Sequence, residues 1–94
     1  MSENVLEYVK NYIHMLPEPK NYWRKSAFEQ ECMVGWSARE LYRYMLTHGG
    51  NSVSAIQEFA DLMDEYSMSN VRTSLIFSIA RDTALDIMQH FLGK

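Results

Sequence analysis

Residues 71–92 read VRTSLIFSIARDTALDIMQHFL, an unusually apolar segment for a chain of 94 residues. Its apolar side chains recur at helical spacing and form one face: Ile76, Ile79, Ala80, Ala84, Ile87 and Phe91. Phe77 and Met88 widen that face, and Leu85 and Leu92 fall among polar positions. The apolar arc is roughly 240° wide, whereas a helix that packs on one side needs only about 100°. This width predicts a helix over 71–92 at the centre of a helical bundle.

Two further helices follow from the same periodicity. The first spans 3–16, with Ser2 as its N-cap and Pro17 as its end, because proline lacks the backbone N–H that a helix interior needs. The third spans 52–66, and a short turn at 67–70 separates it from the last helix. In both helices the apolar residues recur three and four positions apart, which is the spacing of one helix face.

The segment 22–48 is also predicted to be helical, but its continuity is open. Gly35 lies between two sequence patterns typical of helix starts, one at Ser26 and one at Ser37. Either one long helix contains this glycine, or two short helices meet there. A glycine pair at 49–50 ends the segment. The sequence therefore predicts an all-α fold: a compact bundle of four helices with short loops, or five if Gly35 breaks the second helix.

Length and composition predict one globular domain over 1–94. The chain has a mass of 11.0 kDa, with 47% hydrophobic and 22% charged residues, which excludes a disordered protein. Its single cysteine excludes an intramolecular disulfide framework and a cysteine-based zinc site. The first residues, MSENVLEYVK, lack the pattern of a signal peptide. No apolar stretch reaches about 18 residues, so we expect a cytoplasmic protein without a membrane-spanning segment.

No residue pattern predicts catalysis, a cofactor or a metal ion. His14, His48 and His90 lack the spacing of helical metal ligands. His48 and His90 lie near predicted helix ends, where the helix dipole stabilises a protonated imidazole. The chain has no nucleophile motif and no glycine-rich phosphate loop. We therefore predict a protein that is not an enzyme, with no catalytic, cofactor-binding or metal-binding residues.

The third helix carries a row of carboxylates on its polar side: Glu58, Asp61, Asp64 and Glu65. The net charge of −3 arises in residues 51–94, where acidic residues outnumber basic ones. The spacing of the row is helical and differs from that of a calcium-binding loop. We interpret it as a solvated face, and the alternative is an acidic stripe that meets a basic partner.

A basic and aromatic segment offers an alternative function. Residues 20–25 read KNYWRK, and a basic pair one helical turn apart follows. The candidate nucleic-acid contacts are Lys20, Arg24, Lys25, Arg39 and Arg43. Interleaved basic and aromatic side chains can bind single-stranded nucleic acid. Such binding draws most of its affinity from neutralised phosphates, however, and this chain is acidic. A nucleic-acid-associated regulator is therefore the alternative interpretation, and nucleic acid is the unfavoured partner.

The favoured function is protein–protein contact, with a second copy of the chain as the expected partner. A contiguous apolar run along a helix edge marks a contact surface, and a two-fold pairing covers both copies at once. The predicted interface consists of Phe77, Leu85, Met88 and Leu92 on the fourth helix, with Tyr22 and Trp23 at the entry to the second. Three methionines that the core does not readily absorb suit a groove for a partner helix: Met33, Met68 and Met88.

Overall fold

The computed structural model describes residues 4–16, 26–48, 50–69, 71–72 and 74–93, with side chains of the second range described from 33 onward. These ranges form four α-helices: α1 (Val5–Met15), α2 (Ser26–Thr47), α3 (Val53–Ser69) and α4 (Ser74–Leu92). No strand occurs within them. The predicted all-α bundle of four helices is confirmed. Residues 22–25, where the second helix was expected to begin, lie outside the described residues.

Two asparagine side chains satisfy the first backbone N–H groups of α1. Asn4 is the N-cap, and its Oδ1 accepts a hydrogen bond from the Glu7 N–H at 2.9 Å. Asn51, which precedes α3, accepts a hydrogen bond from the Leu6 N–H at 2.9 Å. The predicted cap at Ser2, itself outside the described residues, is therefore wrong, and α1 begins two residues later than expected because Asn4 supplies the capping oxygen.

α2 runs through Gly35 without a break, so the alternative of two short helices is wrong. The helix ends at Thr47, and side chains bond to carbonyls of its last turn. The Thr47 hydroxyl donates to the Arg43 carbonyl at 3.0 Å, and His48 Nδ1 lies 3.0 Å from the Tyr44 carbonyl oxygen. The histidine thus lies at the helix end where the sequence placed it.

The turn between α3 and α4 differs from the prediction. α3 continues to Ser69, because the hydroxyls of Ser67 and Ser69 donate to the carbonyls of Asp64 and Tyr66 at 2.7 and 3.2 Å. These serines therefore bond within their own helix and do not cap a turn. The predicted turn is mostly helical, and α4 begins three residues later than expected, at Ser74.

The core lies between α4 and the two helices that it packs against most, α3 and α2, while α1 packs on α2. The largest apolar side chains that are fully buried are Val9, Leu41, Met45, Ile56 and Ile87. Complete burial of such a side chain stabilises the fold by about 1.5–3 kcal/mol. Each of the four helices contributes at least one of them, so the bundle has one shared core.

One face of α4 is open, although the sequence predicted a central helix. The exposed residues on this face are Leu75, Asp82, Asp86, Gln89 and Leu92. α4 takes part in the two most extensive helix contacts, with α3 and with α2, as predicted for a central helix, while α1 packs mainly on α2 and leaves the outer, mostly polar face of α4 uncovered. None of the helices in the described ranges is both long and apolar enough to cross a membrane.

Candidate functional site

The predicted interface edge of α4 is interrupted by the core. Met88 is only 7% exposed and belongs to the core cluster, and Leu85 is half-buried against it. Leu92 is exposed. The placement of Met88 at an interface is therefore corrected, because this residue lies one turn after the buried Ala84 on the same side of the helix. The edge does not form a continuous apolar surface.

Phe77, also predicted at the interface, is half-buried in a row of aromatic rings. Its ring centroid lies 5.3 Å from that of Tyr66 and 6.4 Å from that of Trp36, with interplanar angles of 52° and 66°. Such tilted arrangements are favourable for aromatic pairs. The row joins α3, α4 and α2 near the turn between α3 and α4.

Large apolar side chains are exposed next to this aromatic row. We define the corner patch as Tyr66, Met68, Val71 and Leu75, around the turn between α3 and α4. Val71 is 90% exposed, Met68 79% and Leu75 62%. The sequence pointed to Met68 as a groove residue, but it gave no signal for Val71 and Leu75, because the last helix was expected to begin earlier and to bury its apolar side chains.

Most of the predicted basic and aromatic segment lies outside the described residues. This holds for five of its candidate residues: Lys20, Tyr22, Trp23, Arg24 and Lys25. Arg39 and Arg43 are exposed on α2, and Arg43 Nη1 lies 3.3 Å from Glu40 Oε1. The Glu40 carboxylate therefore offsets the charge of Arg43, one of the two arginines of this pair.

The acidic row of α3 is divided between solvent and α4. Three of its carboxylates are exposed: Glu58, Asp61 and Glu65. The fourth, Asp64, accepts a hydrogen bond from Arg81 Nη1 at 2.6 Å, and Arg81 Nε donates to Asp82 Oδ1 at 3.1 Å. These hydrogen bonds, that to Asp64 first, raise the pKa of Arg81. Asp64 therefore ties α3 to α4, whereas the other three carboxylates face water.

An open groove of about 230 Å³ lies between α2 and α3. Phe59, Leu62 and Met63 form its apolar side on α3. Across it, burial, followed by the charge of Glu58, raises the pKa of Tyr44. This shift has its cause within the protein and does not indicate a ligand in the groove.

A second open groove, of about 360 Å³, lies between three helices. We call it the three-helix cleft, and its lining residues are Tyr12 of α1, Val34 of α2, and Ile79, Asp82, Thr83 and Asp86 of α4. Burial, followed by the charge of Asp86 and then by Tyr8, raises the pKa of Tyr12. Thr83 is one of two buried polar residues among the described residues, with Ser37. None of these six residues belongs to a sequence pattern that predicts a site.

Two of the three histidines stack on tyrosine rings. His90 stacks on Tyr8 with ring centroids 3.9 Å apart, and His48 stacks on Tyr44 at 4.1 Å. His14 is exposed near the end of α1. Within the ranges that the structure describes, no three His, Cys, Asp or Glu side chains lie together as metal ligands would.

The likeness of this chain to known proteins gives no further guide to its function. Comparison with protein-family models, with curated proteins and with solved structures finds no significant match. The residues and their geometry are therefore the basis for any functional proposal.

Proposed function

We propose that this chain is a non-enzymatic helical protein that acts through protein–protein contact and pairs with a second copy of itself through the corner patch. The observation that carries the proposal is the exposure of Met68, Val71 and Leu75 at one turn of the fold. Single exposed apolar residues are common on protein surfaces, but three highly exposed ones within eight residues at one turn favour a contact site. The single cysteine favours a reducing compartment, so we place this activity in the cytoplasm.

The apolar area of the corner patch is large enough for a weak dimer. Full burial of an apolar side chain is worth about 1.5–3 kcal/mol, so the exposed fractions of Met68, Val71 and Leu75 give about 3–7 kcal/mol per copy. Two copies give about 7–14 kcal/mol against an association cost of ~4–15 kcal/mol. The surplus reaches the ~8 kcal/mol of a micromolar dimer only where the burial term is near its upper value and the association cost is near its lower value. The half-exposed Tyr66 ring adds contact area to this balance. We therefore expect a dimer that forms at micromolar or higher concentrations.

The charge distribution favours a second copy as the occupant. Residues 66–75 read YSMSNVRTSL and contain one charged side chain, Arg72. The carboxylates that give the chain its net charge of −3 lie elsewhere in the sequence. No carboxylate lies within residues 66–75, although Glu65 directly precedes them, so a two-fold rotation can cover the apolar surface of one copy with that of the other.

The test replaces the patch with charge and compares it with a matched control. Val71→Glu with Leu75→Glu should convert a dimer of about twice 11.0 kDa to a monomer in sedimentation velocity, because two carboxylates per copy would be buried without partners. The control is Met15→Glu with Leu92→Glu, which makes the same charge change at side chains that are 84% and 58% exposed. Both double variants should keep the helicity of the wild type.

The control also tests the edge of α4 that the sequence had favoured. If the control dissociates the dimer and the patch variant does not, the interface lies at Leu92 and the corner patch is not its location. If both variants dissociate it equally, the effect is one of net charge, and the proposal that the patch is the interface is wrong.

A further inference from the structure

The three-helix cleft brings apolar walls, carboxylates and a buried hydroxyl together at one site. Four of its lining residues recur at intervals of three and four along α4: Ile79, Asp82, Thr83 and Asp86. Tyr12 and Val34 line the sides that α1 and α2 provide. Its volume of about 360 Å³ lies within the range of roughly 300–1,000 Å³ that small-molecule sites occupy. The cleft shares no residue with the corner patch, so it is independent of the proposed dimer.

The hydroxyl of Thr83 is the most informative group in the cleft. Thr83 is 6% exposed, and among the described residues no hydrogen-bond partner is found for its side chain. The other buried hydroxyl, that of Ser37, donates to the Met33 carbonyl one turn earlier. A buried polar group without a partner is unfavourable, and each such group in a native protein calls for an explanation. A hydrogen bond from a bound ligand would provide one.

The carboxylates of the cleft differ in their surroundings. Asp82 accepts a hydrogen bond from Arg81 Nε at 3.1 Å, so part of its charge is already compensated. Asp86 forms no ion pair with the residues that the structure describes. Its charge reaches Tyr12 on the other side of the cleft, where it contributes to the raised pKa of that phenol. Among the described residues, Asp86 is therefore the carboxylate of the cleft that forms no ion pair.

We propose that the three-helix cleft binds an alkylammonium group, with its charge beside Asp86, an N–H donated to the Thr83 hydroxyl and its methylene stem against Val34 and Ile79. An ammonium carries three donors and no acceptor, so it can serve two separate acceptors at once. A guanidinium prefers a planar, bidentate carboxylate partner. An anionic ligand would meet two carboxylates, which excludes phosphates and carboxylic acids from the same place.

The experiment follows backbone amide shifts by NMR while putrescine, a diamine with a short apolar stem, is added to the full chain. We expect saturable shifts at residues 79–86 of the wild type. Asp86→Asn and Thr83→Val should each weaken binding roughly tenfold, because the first removes the negative charge beside the ammonium and the second removes an acceptor of its hydrogen bonds. Thr83→Val should melt no lower than the wild type, since it removes a buried hydroxyl that has no partner in the unbound protein.

Two controls separate a specific site from diffuse attraction. Glu65→Gln makes the same charge change as Asp86→Asn on the exposed side of α3 and should leave putrescine binding unchanged. A neutral diol of the same chain length should not bind, because it lacks the charge. The absence of saturable shifts with putrescine would overturn the proposal, and so would an equal loss of binding in Glu65→Gln and Asp86→Asn.

The ammonium group can come from a free amine or from a lysine side chain of another protein, and a second ligand distinguishes the two. Lysine with both its backbone amine and its carboxyl blocked presents only the side-chain ammonium. Tighter binding of putrescine assigns the cleft to free amines, and tighter binding of the blocked lysine assigns it to a protein partner. Either result supports the site, whereas the proposal is contradicted if neither ligand binds.

Discussion

Gly35 is buried in the middle of α2, and its backbone is helical. A glycine inside a helix costs about 1 kcal/mol relative to alanine. An added Cβ would lie 3.2 Å from Nη1 of Arg39, which is the far end of an exposed and flexible side chain that can move aside. We therefore predict that Gly35→Ala raises the free energy of unfolding by up to about 1 kcal/mol and the melting temperature by about 4–8 °C, measured by circular dichroism.

The matched control is Gly50→Ala, because the same added methyl group would collide there with the side chain of Ala55. Overpacking of this kind costs about 1–3 kcal/mol, so this variant should melt at a lower temperature. A lower melting temperature for Gly35→Ala as well would show that the Arg39 side chain cannot move, and would contradict the argument from helix propensity.

The ionisation of Tyr12 is expected to lower the free energy of unfolding at alkaline pH. Its pKa is raised by burial, then by Asp86 and by Tyr8, so the folded protein keeps the phenol proton at pH values where the unfolded chain loses it. The resulting stability is complete below the unfolded pKa of about 10 and is lost as the pH rises through the higher folded pKa. Urea unfolding at a series of pH values should show this loss in the wild type and a smaller loss in Tyr12→Phe. Equal pH dependence of the two proteins would contradict the prediction.

At the scale of the elements, α1 depends on an asparagine that belongs to another part of the chain. Asn51 accepts the hydrogen bond of the Leu6 N–H, and loss of a capping side chain costs about 0.5–2 kcal/mol. Asn51→Ala should therefore lower the free energy of unfolding by this amount and speed hydrogen exchange at the Leu6 amide. Asn11→Ala, the same change at an exposed position within α1, should instead be neutral or slightly stabilising. Equal exchange rates at Leu6 in both variants would contradict the capping role.

The four helices could be predicted because their signal is local. Apolar residues such as Val5, Val9, Ile56 and Phe59 recur at helical spacing, and all four are buried. The cap from Asn51 could not be predicted, since its partner lies 45 residues away in sequence. The end of α3 differs from the prediction for another reason: serine is typical of turns, but the Ser67 hydroxyl bonds within the helix, to the Asp64 carbonyl.

At the scale of the whole molecule, α1 and α4 differ in length. α1 has 11 residues and α4 has 19, so at ~1.5 Å per residue they span about 16 Å and about 28 Å. A shorter helix that packs mainly on α2 leaves part of α4 uncovered, and the three-helix cleft lies where the three helices meet. The sequence correctly marked α4 as unusually apolar. It could not show which of its side chains, such as Met88 or Leu75, the neighbours would cover, because that depends on their packing.

Self-association through the corner patch is the central claim, and the mass of the wild-type protein in solution tests it most directly. Sedimentation equilibrium over a range of concentrations should show the average mass rise from 11.0 kDa towards twice that value as the concentration passes through the micromolar range. A protein that remains at 11.0 kDa at hundreds of micromolar would contradict the claim.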